Sequence, residues 1–335
     1  MIYSESKKYN VAVVGVTGLV GKTFLKVLEE SDFPVNRLTL FASERSKGKR
    51  CTAFCKSHTI KVVTEQAVRG TDIAFFAVDA KTSVKITPIF LNAGALVIDN
   101  SSFHRTNKNV PLIIPEINLG DYRGGRLIAN PNCSTIQAVL PLYALKKYNP
   151  VSVNYTTFQA VSGSGKNGIS DLNRTLNGKN ALFYPYDISS NCIPKIGERA
   201  NDCGYTEEEV KMINETKRIL HSDNLKISAT CVRVPVKNCH AVCIRAELEK
   251  PFKTDEIKRD FERVENVIVT DDLDNNILPV PQFANGTNSV LVGRIRRDLS
   301  AENALLFYTV ADNLRRGAAS NAVQTALNLI NANKV

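Results

Sequence analysis

The chain has 335 residues, enough for two domains with separate cores, and its 43% hydrophobic and 23% charged content is that of a globular protein rather than a disordered or fibrous one. Its formal net charge of +10 is scattered, with local clusters only at Arg45–Arg50 and Arg294–Arg297. No broad basic face with aromatic partners is evident, which argues against nucleic acid and leaves small anions such as phosphates and carboxylates as partners.

Tyr9–Val14 is a short β-branched apolar run and reads as a buried strand. Gly15-Val-Thr17-Gly18-Leu19-Val20-Gly21 follows, and Lys22–Glu30 has helical spacing of Phe24, Leu25, Val27 and Leu28. A glycine-rich turn between strand and helix suits a dinucleotide, because the backbone can approach a pyrophosphate resting on the helix N-terminus. Further strands are predicted at Arg37–Ala42, Asp72–Ala77 and Leu96–Asp99, with helical sequence between Val84 and Asn92. Alternating strand and helix predicts a doubly wound parallel sheet, an α/β Rossmann domain. After the second strand, where NAD binders carry an acidic residue for the ribose, Ser43, Arg45 and Ser46 suit an added 2′-phosphate, so NADP is the expected cofactor despite the adjacent Glu44.

Asn130-Pro-Asn132-Cys133 then leads into the helical run Ser134–Leu145. This sets the Cys133 sulfur at a helix N-terminus, where backbone N–H groups and the dipole favour an anion. A thiol held there tends to the thiolate, the form that attacks carbonyl carbon. Cys133 is therefore the candidate nucleophile.

Beyond residue 150 the pattern changes. Strands are predicted at Val151–Ala160, Lys226–Val234, His240–Glu247, Val267–Val269 and Ser289–Arg296, and helices at Gly168–Leu176, Thr206–Leu220 and Thr254–Glu265. This predicts an α+β domain with a mixed, largely antiparallel sheet. The run Asn313–Asn331 reads as a final helix returning to the first domain. The expected division is thus 1–132 completed by 313–335, and 133–312. Neither a signal-like apolar run before Tyr9 nor a membrane-length stretch occurs, so a cytoplasmic location without membrane partners is expected.

Eight cysteines in so large a chain read as reduced, not as a disulfide framework. Cys51-x-x-x-Cys55 and Cys239-His240-x-x-Cys243 have half-site spacing for zinc. Strand alternation, however, would point Cys239 and Cys243 one way and His240 the other, so metal is not expected.

Together these segments make the chain resemble the aspartate-semialdehyde dehydrogenase family. The resemblance rests on Gly15-x-Thr-Gly-x-Val-Gly21, Ala-Ser-x-Arg45-Ser-x-Gly-Lys, Asp99-Asn-Ser-Ser-Phe-His-Arg105, Asn130-Pro-Asn-Cys133-Ser-Thr and Gln159-Ala-Val-Ser162-Gly163. It continues through Glu208-Glu-Val-Lys211, Cys231-Val-Arg233-Val-Pro-Val with His240, Val292-Gly-Arg-Ile-Arg-Arg-Asp-Leu299 and Asp312-Asn313-Leu-x-x-Gly317. It implies NADPH-dependent reduction of L-aspartyl 4-phosphate to the semialdehyde, in lysine, threonine and methionine biosynthesis. A catalytic domain that also forms the contact of a homodimer or homotetramer is implied with it.

By the same resemblance Cys133 is the nucleophile and His240 the acid/base, while Gln159 orients the acyl group or a water. Asn132 is suited to fixing the turn or to polarising the carbonyl. Arg233 is implied as the forked partner of the substrate α-carboxylate, Arg105 and Lys211 as the phosphoryl-binding pair, and Glu208 as the group facing the substrate ammonium. Gly15, Thr17, Gly18, Leu19, Val20, Gly21, Ser43, Arg45, Ser46, Ser162, Gly163 and Asn313 are the implied cofactor contacts. Ala241 departs from the pattern, standing where many relatives carry Ser. Asn180–Asp202 is the segment least like the family, and no catalytic residue is expected there.

Two rivals are weighed. N-acetyl-γ-glutamyl-phosphate reductases share the chemistry but usually carry Pro-Gly-Cys-Tyr-Pro-Thr at the nucleophile, and their acetylated substrate has no ammonium for Glu208 to meet. A non-catalytic NADP-binding relative would be expected to lack Cys133 or His240.

Overall fold

The computed structural model describes residues 7–335, and the start of the chain, read above as lacking a signal-like run, otherwise lies outside them. The chain divides into two compact units, one formed by residues up to 115 with 119–131 and 318–335, the other by 116–118 and 132–317.

In the first unit, β1 (Tyr9–Val14), β2 (Val35–Phe41), β5 (Ile73–Phe76), β6 (Leu96–Asp99) and β7 (Leu127–Ala129) form a parallel sheet in the order β2-β1-β5-β6-β7. β3 (Arg50–Ala53) and β4 (Lys56–Thr59) form a separate two-stranded hairpin, whose Ala53 packs into a core shared with β1. Alternation sorts the side chains of β1 between two cores. Val11 and Val13 join Phe24, Phe75 and the last helix's Ala322, Val323 and Leu329, whereas Ala12 and Val14 join Phe41, Phe76 and Phe90. Such two-sided burial explains why β1, β5 and β6 read as nearly continuous apolar runs. The first helix begins at Leu19, three residues before the predicted Lys22, and the third strand is trimmed to Ile73–Phe76.

The terminal run is helical in two pieces, a π-turn at Arg315–Ala319 and an α-helix at Ser320–Asn331. The helix is tied to this unit by Asn321, whose amide donates to the Ile113 carbonyl (2.9 Å) and to Asn130 Oδ1 (2.7 Å).

In the second unit six strands run β11-β12-β13-β10-β8-β9, namely β8 (Pro150–Gln159), β9 (Lys226–Arg233), β10 (His240–Leu248), β11 (Val267–Val269), β12 (Val290–Arg297) and β13 (Ala304–Ala311). The outer pairs β8/β9 and β11/β12 are parallel and the three inner pairs antiparallel. The central strand β13 went unpredicted, because Ala304-Leu-Leu-Phe-Tyr-Thr-Val-Ala is apolar on both sides and carries no period. The helix Cys133–Ala144 is buried from Ser134 to Leu142 and packs on β10, β13 and the helix Glu207–Leu220. Thr206 opens the latter with a capping box completed by Glu209.

Arg316 is fully buried, and its Nη2 meets Glu116 Oε1 at 2.8 Å within this unit. Burial opposes the charge on Glu116, but Arg316 and the Asn266 amide outweigh it and hold the carboxyl below its ordinary value of 4.5. A depressed folded-state pKa adds stability that is present above the unfolded value and is lost as pH falls through the folded one. We expect Glu116→Gln to cost about 3–5 kcal/mol at pH 7, the scale for breaking a buried pair. The gap from wild type in the urea midpoint should shrink as pH falls below about 4.5. A gap that stays constant from pH 7 to pH 3 would contradict this account of the pair.

Candidate active site

Cys133 is the first residue of its helix and is partly exposed. Asn132 caps that helix, its Oδ1 accepting from the N–H groups of Ser134 (2.8 Å) and Thr135 (3.3 Å). Asn132 is itself gripped twice. Its side-chain amide donates to Glu208 Oε1 (2.8 Å), and its backbone N–H donates to Glu215 Oε2 (2.6 Å). Glu208 and Glu215 lie seven residues apart on the helix Glu207–Leu220, two turns along one face, and both are buried. Glu208 Oε1 also accepts from Gln159 Nε2 (3.1 Å) at the end of β8, while Lys211 Nζ stands 3.6 Å from its other oxygen. Thus Asn132, Gln159, Glu208 and Lys211 form one network. Glu215, which the sequence reading missed, completes it, and its signal was the spacing from Glu208.

A second cluster begins one residue beyond Gln159. The Ala160 carbonyl accepts from Arg233 Nη1 (2.7 Å), and the Ala160 N–H donates to His240 Nδ1 (3.0 Å). His240 is fully buried, and burial first, then the nearby Arg233 charge, drives its pKa well below the ordinary value of 6.5. Gly163 borders both groups, since a Cβ there would come within 2.7 Å of Arg233 Nη1 and 3.0 Å of His240 Nε2. Gly317 plays a like part at Cys133, whose Cβ would lie 2.8 Å from a Cβ added there. Burial above all, with Glu208, Glu209 and Cys133 adding their charge, pushes the neighbouring Cys231 thiol up to about 12 against the effect of Thr157, so it stays protonated.

Ser162 and Asn313 sit side by side, the hydroxyl 3.1 Å from Asn313 Oδ1, which also accepts the Cys239 N–H (3.0 Å). Cys239 has φ +74° and precedes β10 rather than continuing it, so the strand alternation argued above for Cys239 and Cys243 does not hold. Asn180–Asp202 has a definite place as well. Ile193 exchanges both backbone hydrogen bonds with Arg233 (2.8 Å each), and Asp171 accepts the N–H groups of Leu182 and Tyr184.

Arg105 and the cofactor candidates other than Ser162, Gly163 and Asn313 belong to the first unit. Arg105 lies in a short turn at Phe103–Thr106, with Nη2 donating to the Asn100 carbonyl (2.8 Å). In the glycine loop, Gly15 has φ +86°, and a Cβ would fall 2.2 Å from the Ala77 carbonyl oxygen. A Cβ on Gly21 would strike the Gly15 oxygen at the same distance. Gly18, which precedes the helix Leu19–Glu30, supplies no side-chain cap, so Thr17, Leu19 and Val20 line a turn whose amides a phosphate could use. Ser43 and Arg45 are exposed and Ser46 half-buried just after β2.

The descriptions "semialdehyde dehydrogenase, NAD binding domain" and "semialdehyde dehydrogenase, dimerisation domain" match residues 10–124 and 139–316. The aspartate-semialdehyde dehydrogenase of Aquifex aeolicus is 46% identical over 330 residues, spanning 95% of this chain and 97% of that one. The chain belongs to the aspartate-semialdehyde dehydrogenase family. The Bacillus subtilis member is 39% identical, covering 97% of this chain and 99% of its own. The crystal structure of aspartate-semialdehyde dehydrogenase II of Vibrio cholerae superposes with a TM-score of 0.92 at 39% identity over 97% and 99% of the two chains. This family member therefore carries a nicotinamide-dinucleotide-binding domain, and the glycine loop, closed to any Cβ at Gly15 and Gly21, fits that ligand.

The doubly held cap makes a testable demand. Asn132→Ala should destabilise the protein by about 1–2 kcal/mol, the scale of a lost N-cap. It should also slow iodoacetamide labelling of Cys133, followed by peptide mass spectrometry. Unchanged labelling would remove Asn132 from control of Cys133 reactivity.

Proposed function

We propose that the chain catalyses NADPH-dependent reductive dephosphorylation of L-aspartyl 4-phosphate to L-aspartate 4-semialdehyde through a thioester on Cys133. The observation that carries this reading is the cysteine heading a helix whose cap residue is held by two buried carboxylates, in a chain of this family. The helix N-terminus favours an anionic sulfur. Sulfur attack on the acyl carbon expels phosphate and leaves a thioester, which divides one hard reduction into two easier steps. NADPH, when bound, supplies the hydride. Ser43, Arg45 and Ser46 suit recognition of a 2′-phosphate, and Gly15, Thr17, Gly18, Leu19, Val20 and Gly21 suit the pyrophosphate.

Arg233, fixed from one side by the Ala160 carbonyl, is the partner for the substrate α-carboxylate. Gln159 is placed to orient the acyl group, and Arg105 with Lys211 serves the phosphoryl group. Glu208 has an oxygen beside Lys211 that suits a substrate ammonium, which favours aspartyl over N-acetylglutamyl phosphate. The enzyme is assigned to the cytoplasm. As an oligomer it would cover the exposed apolar side chains Leu176, Leu182, Phe183 and Tyr186, giving a single species of two or four chains by light scattering.

Phosphate-dependent oxidation of aspartate semialdehyde, followed by NADPH absorbance, tests the assignment. Wild type should be active, and Cys133→Ala should lose roughly a thousandfold or more. Equal activity of the two proteins would end the nucleophile assignment. Arg233→Lys should raise KM for the semialdehyde by about 10–100-fold, the equivalent of one lost charged hydrogen-bond pair. The Kd for NADP, by calorimetry, should change little. A parallel loss of NADP affinity would place Arg233 at the cofactor instead.

A further inference from the structure

Arg105 owes its place to the helix beside it, and the inference drawn from this rests on the phosphoryl role proposed for Arg105 above. The turn Phe103–Thr106 follows Asp99, the last residue of β6, and both lie in the first unit. The approach to the turn is fixed by the fully buried Asp99 carboxylate. It accepts the Ser101 N–H (2.9 Å), the Ser101 hydroxyl (2.6 Å) and the Ser83 hydroxyl (2.8 Å). The turn itself is fixed by His104, which is buried although the adjacent Phe103 is exposed, and whose Nε2 lies 3.3 Å from Thr87 Oγ1. Ser83 and Thr87 stand four residues apart on the helix Ala80–Asn92, so one helix face grips the loop at two points about a turn apart.

The acceptors settle where the protons lie. Thr87 has one hydroxyl proton, which goes to the Ser83 carbonyl at 2.8 Å. Thr87 Oγ1 can therefore only accept from the ring, and His104 Nε2 donates to it. Without the Thr87 oxygen that N–H would be buried and lack its acceptor, a loss large enough to move the side chain and the turn with it. Arg105 is the next residue, and its Nη2 donates to the Asn100 carbonyl (2.8 Å) within the same loop. The guanidinium is thus referenced to the loop and shifts when the loop shifts.

We propose that Thr87 and Ser83 are positioning residues for phosphoryl recognition. They hold the loop from Asp99 to Thr106 so that Arg105 meets the phosphoryl group of an acyl phosphate, or inorganic phosphate in the reverse direction. Both act through Asp99 and His104. Their loss should therefore fall on phosphate and spare the semialdehyde.

Inorganic phosphate and the intact enzyme test this. In phosphate-dependent semialdehyde oxidation, Thr87→Val keeps the side-chain shape without the hydroxyl and should raise KM for phosphate about 10–100-fold, the scale of a contact misplaced by about 1 Å. KM for the semialdehyde and kcat at saturating phosphate should change little. Thr87→Ser, which retains the hydroxyl, should restore the wild-type KM for phosphate. Should Thr87→Val fail to fold, Ser83→Ala, which removes one donor to Asp99, carries the same expectation. A second measurement needs no turnover: phenylglyoxal modification of Arg105, followed by peptide mass spectrometry. Phosphate should protect Arg105 in wild type and in Thr87→Ser, and about tenfold more should be needed in Thr87→Val. An unchanged KM for phosphate in Thr87→Val, or an equal rise in KM for both substrates, would overturn the proposal. Equal protection of Arg105 in all three proteins would overturn the grip alone, whereas no protection in wild type would end the phosphoryl role of Arg105 and this inference with it.

Discussion

Two carboxylates on one helix face hold the residue that precedes Cys133. Glu215 takes the backbone N–H of Asn132 and Glu208 takes its side-chain amide, which leaves Asn132 Oδ1 to cap the helix that Cys133 begins. Burying two acidic side chains costs free energy unless their lone pairs are met, and here peptide and amide donors meet them. The helix Glu207–Leu220 thereby serves as a rail for the site. Its capping box at Thr206 sets where it starts, and a two-turn spacing sets where the second carboxylate falls.

Ala160, one residue beyond Gln159, performs the matching task for a second pair of side chains. Its carbonyl anchors Arg233 and its N–H orients His240, so the backbone of one residue directs two side chains. Because β8 carries both Ala160's neighbour Gln159 and the sheet contact to β10, the strand couples this group to the carboxylate network. Glycines complete the arrangement by absence. Gly163 and Gly317 leave room beside His240 and Cys133 that a Cβ would fill.

Much of this was legible in the chain. Apolar runs marked β1, β5 and β6, because a strand buried on both faces needs no polar alternation, whereas the three-residue β7 was not predicted, and Phe24, Leu25 and Leu28 announced the first helix. The same logic hid β13, where a continuous apolar run does not distinguish strand from buried helix. The hairpin of β3 and β4 is short and largely exposed, so no burial pattern marked it. Cys133 stood out through its Asn-Pro-Asn approach, and the family motifs named most of its companions.

Asn180–Asp202, where no catalytic residue was expected, braces Arg233 by a backbone bridge at Ile193. Peptide hydrogen bonding leaves no trace in side-chain identity, so sequence could not show it. The amino-acid sequence by itself determined which side chains could do the chemistry, the helix that begins at Cys133 and the glycine loop, since each depends on neighbours in the chain. Only the tertiary structure decided that Glu215 would hold Asn132 and that an Ala160 amide would set the His240 ring. Those contacts join residues 83 and 80 positions apart, and such distances are closed by packing and not by local preference.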